Sequence, residues 1–206
     1  MKITVKEIEA WLEAFREEIT AHKEELSDLD QAIGDGDHGI NMARGVKEMH
    51  NLLETKSFQV PGEILKAVSM VFIGKIGGAA GPLYGSAFMK MAAEAGTKEA
   101  LSAEEFLGVL RAGKSAIVQR GKAETGEKTM VDVWLPLLKK FEGKQEIDWD
   151  DWENSAEELK NNTKEMHAKK GRAAYLGARS VGHIDPGATS SYYLFKALAD
   201  TLREGS

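Results

Sequence analysis

The chain contains no cysteine among its 206 residues. That absence excludes disulfides, thiolate metal sites and cysteine nucleophiles. A basic stripe is also missing. Lys and Arg number 27 against 33 Asp and Glu, a net charge of −6, so no nucleic-acid partner is expected. No apolar run approaches the length of a membrane span. The N-terminal MKITVKEIEAWLEAF has neither the apolar region nor the cleavage site of a signal peptide. The expected place is the cytoplasm, with no membrane partner. Period-two alternation is missing too, which leaves little room for strands.

What is present is helical periodicity in a globular composition. Hydrophobic residues make up 42% and charged residues 29%, the balance of a folded soluble domain. Ile8, Trp11, Leu12, Phe15, Ile19 and Leu26 recur at three- and four-residue steps, and Thr4 with Glu7 form a capping box before them. Further helices are expected from near Gly39, from Pro61, and from about Pro82 to Ala95. Ser102 and Glu105 form a second capping box for a helix to about Gln119. Others are expected from Met130 to Phe141, from about Asp150 to Lys169, and from Pro186 to Arg203. The spacing predicts an all-α domain of about eight helices in one unit over residues 1–206. The one linker-like stretch, 143–147, is too short to divide it. Trp11, Trp134, Trp149 and Trp152 are expected in the core, with an interface such as a homodimer as the alternative.

Glycine concentrates between the helices, in GDGDHG (34–39), GKIGGAAG (74–81), RGKAETGEK (120–128) and GHIDPG (182–187). Turning a bundle loop does not need so many. Glycine at helix starts lets backbone approach a ligand, and helix N-termini favour anions. Asp30, Asp35 and Asp37 flank or enter the first loop. Three hard carboxylates at this spacing suit Mg²⁺, which takes a few carboxylates plus phosphate oxygens and water. An acidic protein that binds a polyanion needs such a cation. Read singly, each aspartate could instead cap a helix or fill a turn. No EF-hand is present, because twelve-residue loops counted from Asp28 or Asp35 end on Gly39 or Val46 and not on glutamate. His38 is read as a nucleotide contact and not as a covalent phosphohistidine. GGAAGP (77–82) has no ionisable side chain, so it offers backbone N–H groups or close helix packing. Arg179 suits a phosphate, with a surface ion pair as the alternative.

Two familiar nucleotide patterns carry no weight. GVLRAGKS (108–115) fits the P-loop spacing, but a P-loop follows a buried strand. Here Phe106, Leu107, Leu110 and Ile117 carry one helical face through it, leaving Lys114 toward solvent. Gly34, Gly36 and Gly39 fit a dinucleotide fingerprint, yet a polar helical segment precedes them. Two aspartates inside that loop would also repel a pyrophosphate unless a cation intervened.

LDQAIGDGDHGINMARG, GKIGGAAGPLYG, RGKAETGEKTMVDVWLP and KKGRAAYLGARSVGHIDPGATS, in this order, resemble the L subunit of dihydroxyacetone kinase. The resemblance implies an antiparallel barrel of eight helices with a nucleotide site at one end. It implies that Asp30, Asp35 and Asp37 hold two Mg²⁺ ions on the diphosphate of ADP or ATP. His38, Gly39, Ile40 and Asn41 would meet the nucleotide at a helix start, and Ala79 and Ala80 would offer backbone to phosphate. Gly121 and Met130 would line an adenine pocket, and Arg179, Asp185, Pro186 and Gly187 would complete the site. Ala80 stands where the family often has serine, which removes one hydroxyl. As a separate subunit, such a chain works with a K subunit that holds dihydroxyacetone and with a phosphohistidine protein of the phosphotransferase system that rephosphorylates ADP. Other roles in or near the family are a nucleotide-dependent regulator of a transcription factor, or service to an ATP-dependent kinase with another acceptor.

Overall fold

The computed structural model describes residues 2–144 and 146–204. Nine α-helices occur among them: α1 Val5–Ala21, α2 Lys23–Ile33, α3 His38–Thr55, α4 Pro61–Lys75, α5 Ala80–Ala95, α6 Ala103–Gly121, α7 Val131–Lys140, α8 Trp149–Asn162 and α9 Pro186–Glu204. Two 3-10 segments, Thr163–Glu165 and Arg172–Ser180, lie between α8 and α9. Strands β1 (Lys2–Ile3) and β2 (Leu101–Ser102) pair antiparallel, Lys2 opposite Ser102. They clip the start of α1 to the start of α6.

Helix starts follow the sequence signals. Thr4 and Ser102 both complete their capping boxes, the serine through Glu105, and each satisfies N–H groups that a helix cannot pair internally. Pro61 opens α4 and Pro186 opens α9, where a missing N–H costs nothing. The P-loop-like residues lie wholly within α6, with Lys114 half-buried.

Two expected helices differ. The first run breaks at His22, whose ring Nδ1 lies 2.9 Å from the Glu18 carbonyl. The same ring stacks on Tyr193 at 4.4 Å. The helix expected to reach Lys169 stops at Asn162. Beyond it, the Lys128 ammonium takes up the carbonyls of Thr163, Lys164 and Met166, which a continuing helix would need for its own ladder.

Packing closes a ring. Each of α3 to α8 lies against the next, α8 packs on α9, α9 on α1, and α1 on α3. Eight helices thus form an antiparallel barrel, and α2 bridges α3 and α9 outside it. Trp11, Phe15, Phe72, Phe88, Trp134, Trp152 and Phe195 fill its interior, each fully buried. Phe88 meets Phe72 edge-on at 5.0 Å, and Phe195 meets Trp134 at 4.7 Å. Side chains of this size each contribute about 1.5–3 kcal/mol on burial. Trp11 and Trp152 donate their indole N–H groups to the carbonyls of Leu194 and Phe195, so three of the four tryptophans are core and Trp149 is partly buried. No helix among the described residues is long and apolar enough to cross a membrane.

Candidate functional site

The alternating barrel brings the N-termini of α3, α5, α7 and α9 to one end. They surround a cleft of about 300 Å³, the size of a small-molecule site. Each helix start presents partial positive charge. Four converging starts suit a polyanion.

The first wall is the GDGDHG loop. Asp30 projects from the last turn of α2, and its Oδ2 accepts the N–H groups of Asp37 (2.8 Å) and His38 (3.1 Å). It therefore caps α3 from the preceding helix. Asp37 holds the N-cap position of α3, yet its carboxylate makes no capping bond, so capping does not explain it. One carboxylate oxygen from each of Asp30, Asp35 and Asp37 lies within 4.8 Å of the others. Burial pushes the Asp30 carboxyl above its ordinary range, the two N–H bonds oppose this, and its acidic neighbours add to it. A divalent cation with oxygen preference fits this donor set and relieves the repulsion. Glycine makes the loop tight enough. Gly36 has φ +77°, and a Cβ there would meet Gln31 Oε1 at 2.5 Å. A Cβ on Gly39 would run into the Lys23 carbonyl of α2.

Opposite stands GGAAGP. Ala79 occupies the N-cap of α5, with no side chain capping the helix. Its first N–H groups therefore face the cleft without an internal partner. Just before this turn, Arg44 of α3 holds the end of α4 by donating to the Lys75 carbonyl (2.8 Å), and it also donates to the Asn41 side chain (2.7 Å).

Residues 122–130 form the third wall. The buried Asp132 folds this loop by accepting the N–H groups of Gly126 and Thr129. Lys128, also buried, takes a left-handed conformation with φ +62°. Its ammonium donates to the carbonyl oxygens of Thr163 (2.7 Å), Met166 (3.2 Å) and His183. Burial pulls its pKa below that of an ordinary lysine, against the pull of Asp185.

The start of α9 closes the ring. Asp185 caps it through Ala188 N–H at 2.7 Å, and the Asp185 N–H donates to Thr163 Oγ1 at 3.0 Å. Burial raises the Asp185 carboxyl to about 7, partly offset by the bond it accepts from Ala188 N–H. Across the floor, His38 Nε2 lies 3.0 Å from Ser190 Oγ, which lies 2.9 Å from the Tyr84 hydroxyl. Burial pulls the His38 pKa down to about 4, so its ring is neutral near pH 7.

The cleft gathers Asp30, Asp35, Asp37, His38, Asn41, Ala79, Ala80, Gly121, Met130, Asp185, Pro186 and Gly187. Three expected residues stand apart. Gly39 is buried against α2, Ile40 is 52% exposed, and Arg179 is exposed beyond the kink at Gly177. The arginine that does reach the aspartates is Arg172, 3.0 Å from Asp35 Oδ2. Sequence reading passed over Lys128, Asp132, Tyr84 and Ser190. The first two lie in the RGKAETGEKTMVD stretch, where the unusual density of glycine and charge was a usable signal. Tyr84 and Ser190 look like ordinary helix residues.

Residues 32–200 match the DAK2 domain family. The chain is 47% identical over 191 residues to the ADP-binding subunit of PEP-dependent dihydroxyacetone kinase 1 of Listeria innocua, covering 93% of each. It is 44% identical to the ADP-binding subunit of the PTS-dependent dihydroxyacetone kinase of Lactococcus lactis, covering 97% of this chain and 99% of that one. The corresponding PEP-dependent subunit of Escherichia coli is 37% identical, over 99% and 100%. Among solved structures, the dihydroxyacetone kinase of C. freundii aligns with TM-score 0.72 and 23% identity over 92% of this chain. This chain spans 33% of that kinase's length, and at that identity the likeness shows the fold. With the family match running through most of its length and relatives alike from end to end, the chain belongs to the DAK2 domain family.

Proposed function

We propose that this chain is the nucleotide-binding subunit of a dihydroxyacetone kinase of the phosphoenolpyruvate-dependent kind. It holds Mg-ADP, takes a phosphoryl group from a phosphohistidine protein of the phosphotransferase system, and hands it to dihydroxyacetone on a partner K subunit. The observation that carries the reading is the convergence of four helix starts on one cleft beside three clustered carboxylates. The names of the full-length relatives supply the substrate and the donor.

Asp30, Asp35 and Asp37 would hold the Mg²⁺, two ions in this reading. Bound there, the metal would neutralise charge on phosphoryl oxygens, the dominant need of a loose phosphoryl-transfer transition state. The protein's own part is positioning. N–H groups at Ala79 and Ala80 fix a phosphate by the start of α5. His38, held neutral and tethered to Ser190, lies beside the start of α3 without adding a charge. Gly121 and Met130, on the apolar side of the cleft, suit the adenine ring. Asp185, Pro186 and Gly187 shape the remaining edge, and the whole of 1–206 acts as one domain. The site needs no nucleophile of its own, because donor and acceptor both come from other chains.

Reconstitution tests this. The chain, a K subunit, a phosphohistidine donor system and a trace of ADP should yield dihydroxyacetone phosphate for many turnovers. A requirement for stoichiometric ATP, with no response to the phosphohistidine donor, would overturn the relay.

A further inference from the structure

Asn41 and Arg44 stand about one turn apart on α3. The turn that leads into α5 lies directly on the pair. A Cβ on Gly77 would stand 2.5 Å from Asn41 Oδ1 and 2.9 Å from a terminal nitrogen of Arg44. That nitrogen donates to Asn41 Oδ1 at 2.7 Å, while Arg44 Nε donates to the Lys75 carbonyl at 2.8 Å. Lys75 is the last residue of α4, so its carbonyl has no partner within the helix. Two bonds in different directions thus fix the guanidinium, although Arg44 is exposed and stands outside the cleft.

Asn41 is 7% exposed and borders the cleft. A guanidinium has donors and no acceptor, so the amide oxygen must face it. The amide NH2 then turns the other way, toward Gly78. A Cβ on Gly78 would have Asn41 Nδ2 as its neighbour, at 3.8 Å, and Gly78 lines the cleft. Among the described residues nothing accepts from this NH2 group. Its two donors suit a phosphate oxygen, whereas an amide turned over would present an acceptor to the same anion. We propose that Arg44 fixes the orientation of the Asn41 amide, so that its NH2 group and not its oxygen meets the phosphates of the nucleotide. This rests on the Mg–nucleotide reading of the cleft. Arg44 is a positioning residue that acts through Asn41 and does not touch the ligand.

The test uses the full chain with Arg44→Met, Asn41→Ala and the double variant. Mg-ADP binding is read by equilibrium dialysis. The Asn41 side-chain amide is followed by nitrogen-15 relaxation and identified by its loss in Asn41→Ala. Asn41→Ala should weaken Mg-ADP binding about tenfold, and Arg44→Met about three- to tenfold. In the double variant, loss of Arg44 should add less than about twofold to the loss from Asn41→Ala, because the two residues act as one unit. The free wild type should show an ordered Asn41 amide that shifts when Mg-ADP binds, and Arg44→Met a mobile one. Additive losses in the double variant overturn the proposal, because Arg44 would then act by its charge or through the fold. An Asn41 amide as ordered in Arg44→Met as in the wild type also overturns it. A wild type that binds no Mg-ADP overturns the nucleotide reading instead, while relaxation of the free protein still reports whether Arg44 holds Asn41.

Discussion

The ammonium of Lys128 lies 2.7 Å from the carbonyl oxygen of Thr163, and both residues are buried. Thr163 in turn accepts the Asp185 N–H through its hydroxyl. One lysine therefore joins the third wall of the cleft to the turn that starts α9. Lys128→Met leaves several buried carbonyls unpaired. It should cost about 2–4 kcal/mol of stability and weaken Mg-ADP binding at least tenfold, with amide exchange rising in residues 163–185. Denaturant unfolding and hydrogen exchange check this. Unchanged exchange there would show that the lysine does not tie the two segments.

Gly39 tests the close approach of α2 and α3. A methyl group at this position must displace the Lys23 carbonyl and the Ser27 side chain. Gly39→Ala should lower stability by about 1–3 kcal/mol. It should also lower Mg²⁺ affinity, because Asp35 and Asp37 ride on the displaced loop. Full stability with wild-type metal binding would mean the loop yields freely.

Ala80 is the first residue of α5, whose start no side chain caps. Ala80→Ser supplies the hydroxyl that the resembling family often has there. It should tighten nucleotide binding by about 0.5–1.5 kcal/mol, read as a lower Kd for Mg-ADP. A weaker Kd would place the side chain away from the phosphates.

Tyr84 should shape the alkaline limit of stability. Burial pushes its phenol up to about 12 from the ordinary 10.0, against hydrogen bonds with Ser190 and Ser191. The folded state thus keeps a proton that the unfolded chain gives up sooner. Its contribution is complete below pH 10.0 and falls as pH rises toward about 12. Tyr84→Phe should cost about 1 kcal/mol at neutral pH and flatten the loss of stability through that window. Equal slopes for both proteins would assign the alkaline loss to other groups, such as Tyr192, which burial also raises to about 12.

Much of this was legible in the sequence because the signals were local. Thr4 with Glu7 and Ser102 with Glu105 mark helix starts by their own chemistry, and Pro61 and Pro186 do the same. The aspartates and glycines of 34–39 mark the tight acidic loop at the cleft for the same reason. What stayed hidden depends on partners far along the chain. The break at His22 is fixed by Tyr193 from α9. The end of α8 is set by Lys128, about 35 residues earlier. Arg172 and Arg179 share one short segment, and only the left-handed turn at Gly177, with φ +56°, decides which faces the aspartates.

Asp30, Asp35 and Asp37 are proposed to hold a nucleotide through metal. The direct measurement is the nucleotide content of the purified, extensively dialysed chain, with and without EDTA, beside Asp35→Asn and Asp37→Asn. The expected result is one ADP per wild-type chain, its loss on chelation, and none in either variant despite unchanged helix content by circular dichroism. Nucleotide kept through EDTA and through both substitutions would contradict it.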